Sequence, residues 1–90
     1  MSDLRARAQR LLERPYPLGA YAEDNLTDGF IRRYIDGGPW ADPELQDLLR
    51  LCYLTAESEI EGHTGEARAY FQECVEVLRG ILIEVYGSAT

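Results

Sequence analysis

The feature that most constrains this chain is the spacing of apolar residues in its C-terminal half. Ala67, Phe71, Cys74, Leu78, Ile81 and Val85 recur at intervals of 4-3-4-3-4, a narrow seam over nearly three heptads. That period belongs to a helix and cannot sit as a strand. Upstream, Leu45, Leu48, Leu49, Cys52, Ala56 and Ile60 run along one side of a second helix until Gly62. Only Gly62, His63 and Thr64 separate the two, too short a link for anything but a turn back, so an antiparallel hairpin over about residues 43 to 86 is expected. Cys52 lies eleven residues before His63 and Cys74 eleven after, which sets the two thiols roughly level. Their spacing matches no metal motif, and two reduced core thiols are the reading.

The start of this hairpin is well marked. Asp42 caps the helix, Pro43 takes the first helical position and Glu44 meets the positive end of the helix dipole. The last helix begins at Thr64, read as its cap, and reaches about Tyr86. Two shorter helices precede the hairpin. The first covers about residues 3 to 14, with Ser2 as cap and Leu4, Ala8, Leu11 and Leu12 on one face, and Pro15 ends it. The second lies within about residues 23 to 36. Leu26, Phe30 and Tyr34 recur at i, i+4 and i+8, Ile31 and Ile35 widen the stripe, and Gly37-Gly38-Pro39 ends it. No β pattern competes. The expected fold is all-α, a small four-helix domain spanning residues 1–90 as a single unit.

The last helix carries more apolar residues than its seam needs. Val75, Val77, Leu82, Ile83 and Tyr86 extend it around the helix, and such a helix is either central to a bundle or touches another chain. Val75, Leu82 and Tyr86 run along a side that the seam leaves open, so they are candidate partner-binding residues. The lone Trp40 belongs with them. It follows Pro39 on a connector about five residues long, where an indole can cover the ends of two helices while its N–H reaches water. Tyr16 and Tyr21, in the "PYPLGAY" connector, complete the candidate edge, because Tyr and Trp are enriched at protein interfaces.

The charge is −7 and unevenly spread. Residues 1 to 14 carry four Arg against two acids, whereas residues 46 to 90 carry three Arg against eight acids. This balance opposes direct nucleic-acid binding, which needs a basic footprint, and suits basic partners or imitation of a polyanion. The acidic surface expected to carry such a role is Glu57, Glu59, Glu61, Glu66, Glu73 and Glu76. Arg7, Arg10 and Arg14 share one side of the first helix and are expected to face solvent or pair with the chain's own acids. All nine basic residues are Arg, a bias that a GC-rich bacterial or phage genome would produce. No apolar run approaches a membrane span and the N-terminus carries no secretory pattern, so a cytoplasmic protein with no membrane association is expected.

The "ESEIEGHTGE" stretch (57–66) gathers four glutamates and His63 within ten residues. Glu57 and Glu61 repel one another on a helix, and the spacing fits no metal motif, so a solvated helix end and turn is the expectation, with no metal. His63 is the only conventional general base, and no nucleophile, glycine-rich phosphate loop or metallohydrolase motif accompanies it. No enzymatic activity and no cofactor are expected. The hairpin resembles one tetratricopeptide helical pair over about a third of the chain, through Leu54, Gly62, Ala67, Phe71 and Cys74. Leu51, Thr55, Ser58 and Arg79 depart from that repeat's Trp, Gly, Tyr and Pro, and a tight helical hairpin would choose the matching residues in any case. The functional expectation is a protein-protein interaction module, binding another protein or itself as a homodimer. The alternative is a small acidic inhibitor that blocks a basic nucleic-acid-binding surface by charge mimicry.

Overall fold

The computed structural model describes residues 3–14 and 25–89, and the side chains of α2 from Thr27 onward. Ser2, the connector with Tyr16 and Tyr21, and the side chain of Leu26 lie outside the described residues. Four helices run in order: α1 (Asp3–Glu13), α2 (Asn25–Asp36), α3 (Pro43–Glu61) and α4 (Gly65–Tyr86), and the described residues contain no strand.

The helix ends follow from local chemistry. Asp42 accepts a hydrogen bond from the Glu44 amide at 2.9 Å, with Pro43 at the start of α3. At the end of α2 the Gly37 amide donates to the Tyr34 carbonyl at 3.2 Å and the Gly38 amide to the Arg33 carbonyl at 2.9 Å. This is a Schellman pair, and it needs the left-handed φ of +90° that Gly37 adopts without a Cβ penalty. Thr64 departs from expectation. It occupies the cap position of α4, but its side chain makes no capping bond. Gly65 follows at φ +63°, which turns the first amides out of the register that a side-chain cap requires.

α3 and α4 form the expected antiparallel hairpin and share the most extensive interface; α1 packs on α2 and on α4, while α2 meets α3 only lightly. The core is built around α4. Val77, Leu78, Ile81 and Leu82 are completely buried, joined by Tyr70, Phe71 and Cys74. α3 contributes Leu49, Cys52 and Ala56, α2 contributes Phe30, Ile31 and Tyr34, and α1 contributes Ala8 and Leu11. Cys52 and Cys74 are both buried and present as thiols.

Two expectations about outward faces are corrected. Leu82 was expected on the open side of the last helix, yet its exposure is 0 %. The reason is its place on the helix: Leu82 stacks four residues after the buried Leu78, on the core face of α4. On another side, at Gly80, α1 crosses α4 so closely that a Cβ there would sit 2.8 Å from both methyls of Leu4. α4 packs on both α3 and α1, and of its apolar excess Val77 and Leu82 are used inside the molecule while Ile83 stays 48 % exposed. Conversely, Leu48 was expected among the packed residues of α3 and is 37 % exposed.

Candidate functional site

The hairpin returns the C-terminal end of α4 to the N-terminal end of α3, beside the α2–α3 connector. This brings Trp40 and Tyr86 together, two residues far apart in sequence that were expected at an interaction edge. Their rings meet edge to face, with centroids 6.3 Å apart and planes at 81°. Arg33, in the last turn of α2, holds the connector from the other side: its Nη1 donates to the Pro39 carbonyl at 2.8 Å and its guanidinium lies 6.0 Å from the Trp40 ring centre. Gly38 sits under the indole, where a Cβ would approach Trp40 Cδ1 to 3.2 Å. Trp40 is thereby pinned in place, but it remains half-buried.

Its exposed flank lines an open groove of about 680 Å³ between α1, the end of α2 and the end of α4. Ala6, Tyr34, Ile35 and Val85 make most of the floor, and Asp3, Arg5, Gln9 and Glu84 supply polar rims. The volume falls in the range of small-ligand and side-chain pockets, and an apolar floor with a few polar groups is the usual make-up of such sites. Tyr86 lies behind the indole with its hydroxyl buried and without a hydrogen-bond partner among the described residues. Loss of solvent pushes its phenol above the ordinary value of 10.0; Arg33 opposes that rise and Asp42 adds to it.

The remaining candidates divide. Val75 is half-buried against the core, and Leu82 is enclosed, so neither joins Trp40 at the groove; Tyr86 supports the indole without lining it. Of the six glutamates read as an acidic surface, two are engaged within the fold. Arg7 on α1 grips Glu73 on α4 with two bonds, Nη2 to Oε1 at 2.7 Å and Nε to Oε2 at 3.1 Å. The hydrogen bond to Glu73 raises the guanidinium's pKa, and the charge of Glu76 adds to it. His63 Nε2 lies 2.9 Å from Glu59 Oε2, and the imidazole stacks on Phe71 with centroids 5.1 Å apart. Glu57, Glu61, Glu66 and Glu76 are exposed. Besides Arg7, Arg14, just past the end of α1, approaches the Tyr70 ring of α4 to 6.0 Å. Among the described residues no group of three or more His, Cys, Asp or Glu is placed to hold a metal ion. No described helix is long and apolar enough to cross a membrane.

Two features were not anticipated. Gly80, in the middle of a strongly apolar helix, marks the closest approach of α1, and an isolated glycine in such a setting is the available signal. On α3, Leu51 and Leu54 face outward beside Leu48. Comparison of the chain with protein-family models, with curated proteins and with solved structures finds no match.

Proposed function

We propose that this protein is a non-enzymatic interaction module, a small adaptor or regulator that takes an apolar side chain of a partner protein into the groove beside Trp40. The observation that carries this reading is the half-buried indole, held by Tyr86 and Arg33 yet presenting a flank to an open, apolar-floored groove. A rigid aromatic already ordered in the free protein loses little entropy on binding, which is why Trp and Tyr dominate interface hot spots. Asp3 and Glu84 against the single Arg5 at the rim suit a partner segment with a basic residue next to its apolar anchor. The net charge of −7 points the same way and away from nucleic acid. No cofactor enters this reading, and the cytoplasm remains its proposed setting.

The test is affinity capture from the native source with the full chain, followed by titration of the captured partner against wild type and Trp40→Ala. A hot-spot tryptophan contributes at least about 2 kcal/mol, so Trp40→Ala should weaken binding roughly 30-fold or more. Equal affinity of the two proteins contradicts the groove.

A second reading, a bacterial or phage acidic inhibitor of a basic nucleic-acid-binding surface, draws on Glu57 and Glu61 near the end of α3 and Glu66 in the first turn of α4. All three are exposed and placed at the same end of the hairpin. Binding of that kind weakens steeply with salt and is lost on joint replacement of these glutamates by Gln; groove binding is insensitive to that replacement and loses only the modest, salt-dependent share of its acidic rim.

A further inference from the structure

The second surface left without a role is the outer face of α3. Leu48, Leu51 and Leu54 are exposed by 37, 56 and 49 %; Leu51 and Leu54 lie on the side away from the buried Leu49, Cys52 and Ala56, and Leu48 borders that buried face. Single exposed leucines are normal on a monomer, but these three follow one another at i, i+3 and i+6 and form one ridge. The ridge is symmetric in sequence about Leu51. Leucines stand three residues to either side of it; carboxylates, Asp47 and Glu44, lie four and seven residues before it; hydroxyls, Thr55 and Ser58, lie four and seven residues after it. The Asp47 side chain is 84 % exposed and only loosely approached by Arg50, at 4.0 Å.

We propose that this face is the two-fold interface of a homodimer, with the α3 helices of two copies antiparallel and Leu51 near the axis. A two-fold contact requires a surface complementary to itself, and this arrangement provides it. Leu48 of one copy packs on Leu54 of the other, and Leu51 meets its own counterpart. Asp47 and Glu44 reach the hydroxyls of Thr55 and Ser58, which donate to them. Glu57 comes opposite Leu45 and Glu61 opposite Ala41, so no carboxylate faces a carboxylate. A parallel arrangement would instead set every acid of α3 against itself, in a chain already at −7. The antiparallel pair also opposes the two helix dipoles head to tail. Three partly exposed leucines per copy are a small patch beside the roughly 800 Å² per partner of a standard interface, so the dimer is concentration-dependent rather than obligate. The inference concerns a different surface from the Trp40 groove and stands or falls separately.

Sedimentation equilibrium of the full chain from micromolar to millimolar concentration tests it. The mass should rise from 10.2 kDa toward twice that value. Leu51→Asp and Leu54→Asp should each stay at the monomer mass with an unchanged helical circular dichroism spectrum. Ile83→Asp, at an exposed position on α4, should dimerise like wild type. Leu51→Cys should form a reductant-sensitive cross-linked dimer under mild oxidation, and Ile83→Cys should not. A wild-type chain that stays monomeric throughout overturns the proposal, leaving the ridge to some other protein. So does a dimer that survives both aspartates, or one that Ile83→Asp alone disrupts. Partner capture that is indifferent to Trp40→Ala would remove the groove reading and leave these results untouched.

Discussion

α3 and α4 are the two arms of one hairpin, and they treat their apolar residues in opposite ways. α4 is apolar on several sides and buries most of that surface: Val77, Leu78, Ile81 and Leu82 are sealed, and Ile83 is its one large apolar side chain left about half in water. α3 is less apolar overall, yet it leaves Leu48, Leu51 and Leu54 partly in water. The difference is one of neighbours. α4 has α3 on one side and α1 on another, with Gly80 allowing α1 to come close; α3 has α4 and only a light contact from α2. The quantity of apolar surface on a helix therefore does not show where a second molecule would dock. What matters is how many elements the connectivity brings to each side.

This contrast can be broken from its strongest end downward. Leu78→Ala removes a side chain with no exposure from the middle of α4 and should cost about 2–5 kcal/mol in urea unfolding. If the loss is under 1 kcal/mol, α4 is not the centre of the core. Gly80→Leu should drive α1 off its seat, costing about 1–3 kcal/mol by overpacking. Hydrogen exchange should then show α1 amides losing protection while the hairpin keeps it. Arg7→Ala or Glu73→Gln should cost on the order of 1 kcal/mol or less, because the pair is partly exposed, and the loss should shrink at high salt.

Smaller still is the effect of Tyr86→Phe. Removing a hydroxyl that has no partner among the described residues should leave the protein as stable as before or slightly more so. It should also change the alkaline limb. Burial holds the folded phenol above 10.0, so folding favours the protonated form; wild-type stability is level below that pH and falls above it. Part of that fall should disappear in Tyr86→Phe, as read from melting temperatures across the alkaline range. Leu51→Ala, on the outer face of α3, should change monomer stability by no more than about 0.5 kcal/mol.

The number, order and ends of the helices were legible in the sequence because their signals are local: the 3.6-residue period, Asp42-Pro43 at a start, Gly37-Gly38 at a stop. The hairpin was legible too, and it implies that residues near 86 return to residues near 40, the pairing that builds the Trp40 groove. What was not legible depends on how α1 and α2 lie across that hairpin. Leu82 looked available because it falls outside the 4-3 seam, and that spacing does not record how far the core wraps around α4. Leu48 looked packed because it shares a spacing with buried neighbours, while its exposure turns on a rotation of α3 that sequence spacing leaves open. Arg7 and Glu73 meet across 66 residues, beyond the reach of any local rule. Thr64 has the residue type of a cap, but the left-handed Gly65 after it decides otherwise.

The most direct test is thermal unfolding, followed by circular dichroism, of Leu82→Asp and Leu51→Asp side by side in dilute solution. A carboxylate at the sealed position on α4 carries a desolvation cost comparable with the whole stability of a chain this size, about 5–13 kcal/mol. Leu82→Asp should therefore show no cooperative transition, while Leu51→Asp melts within a few degrees of wild type. A cooperative, near-native melt for Leu82→Asp, or an unfolded Leu51→Asp, would mean that the two arms have been assigned the wrong way round.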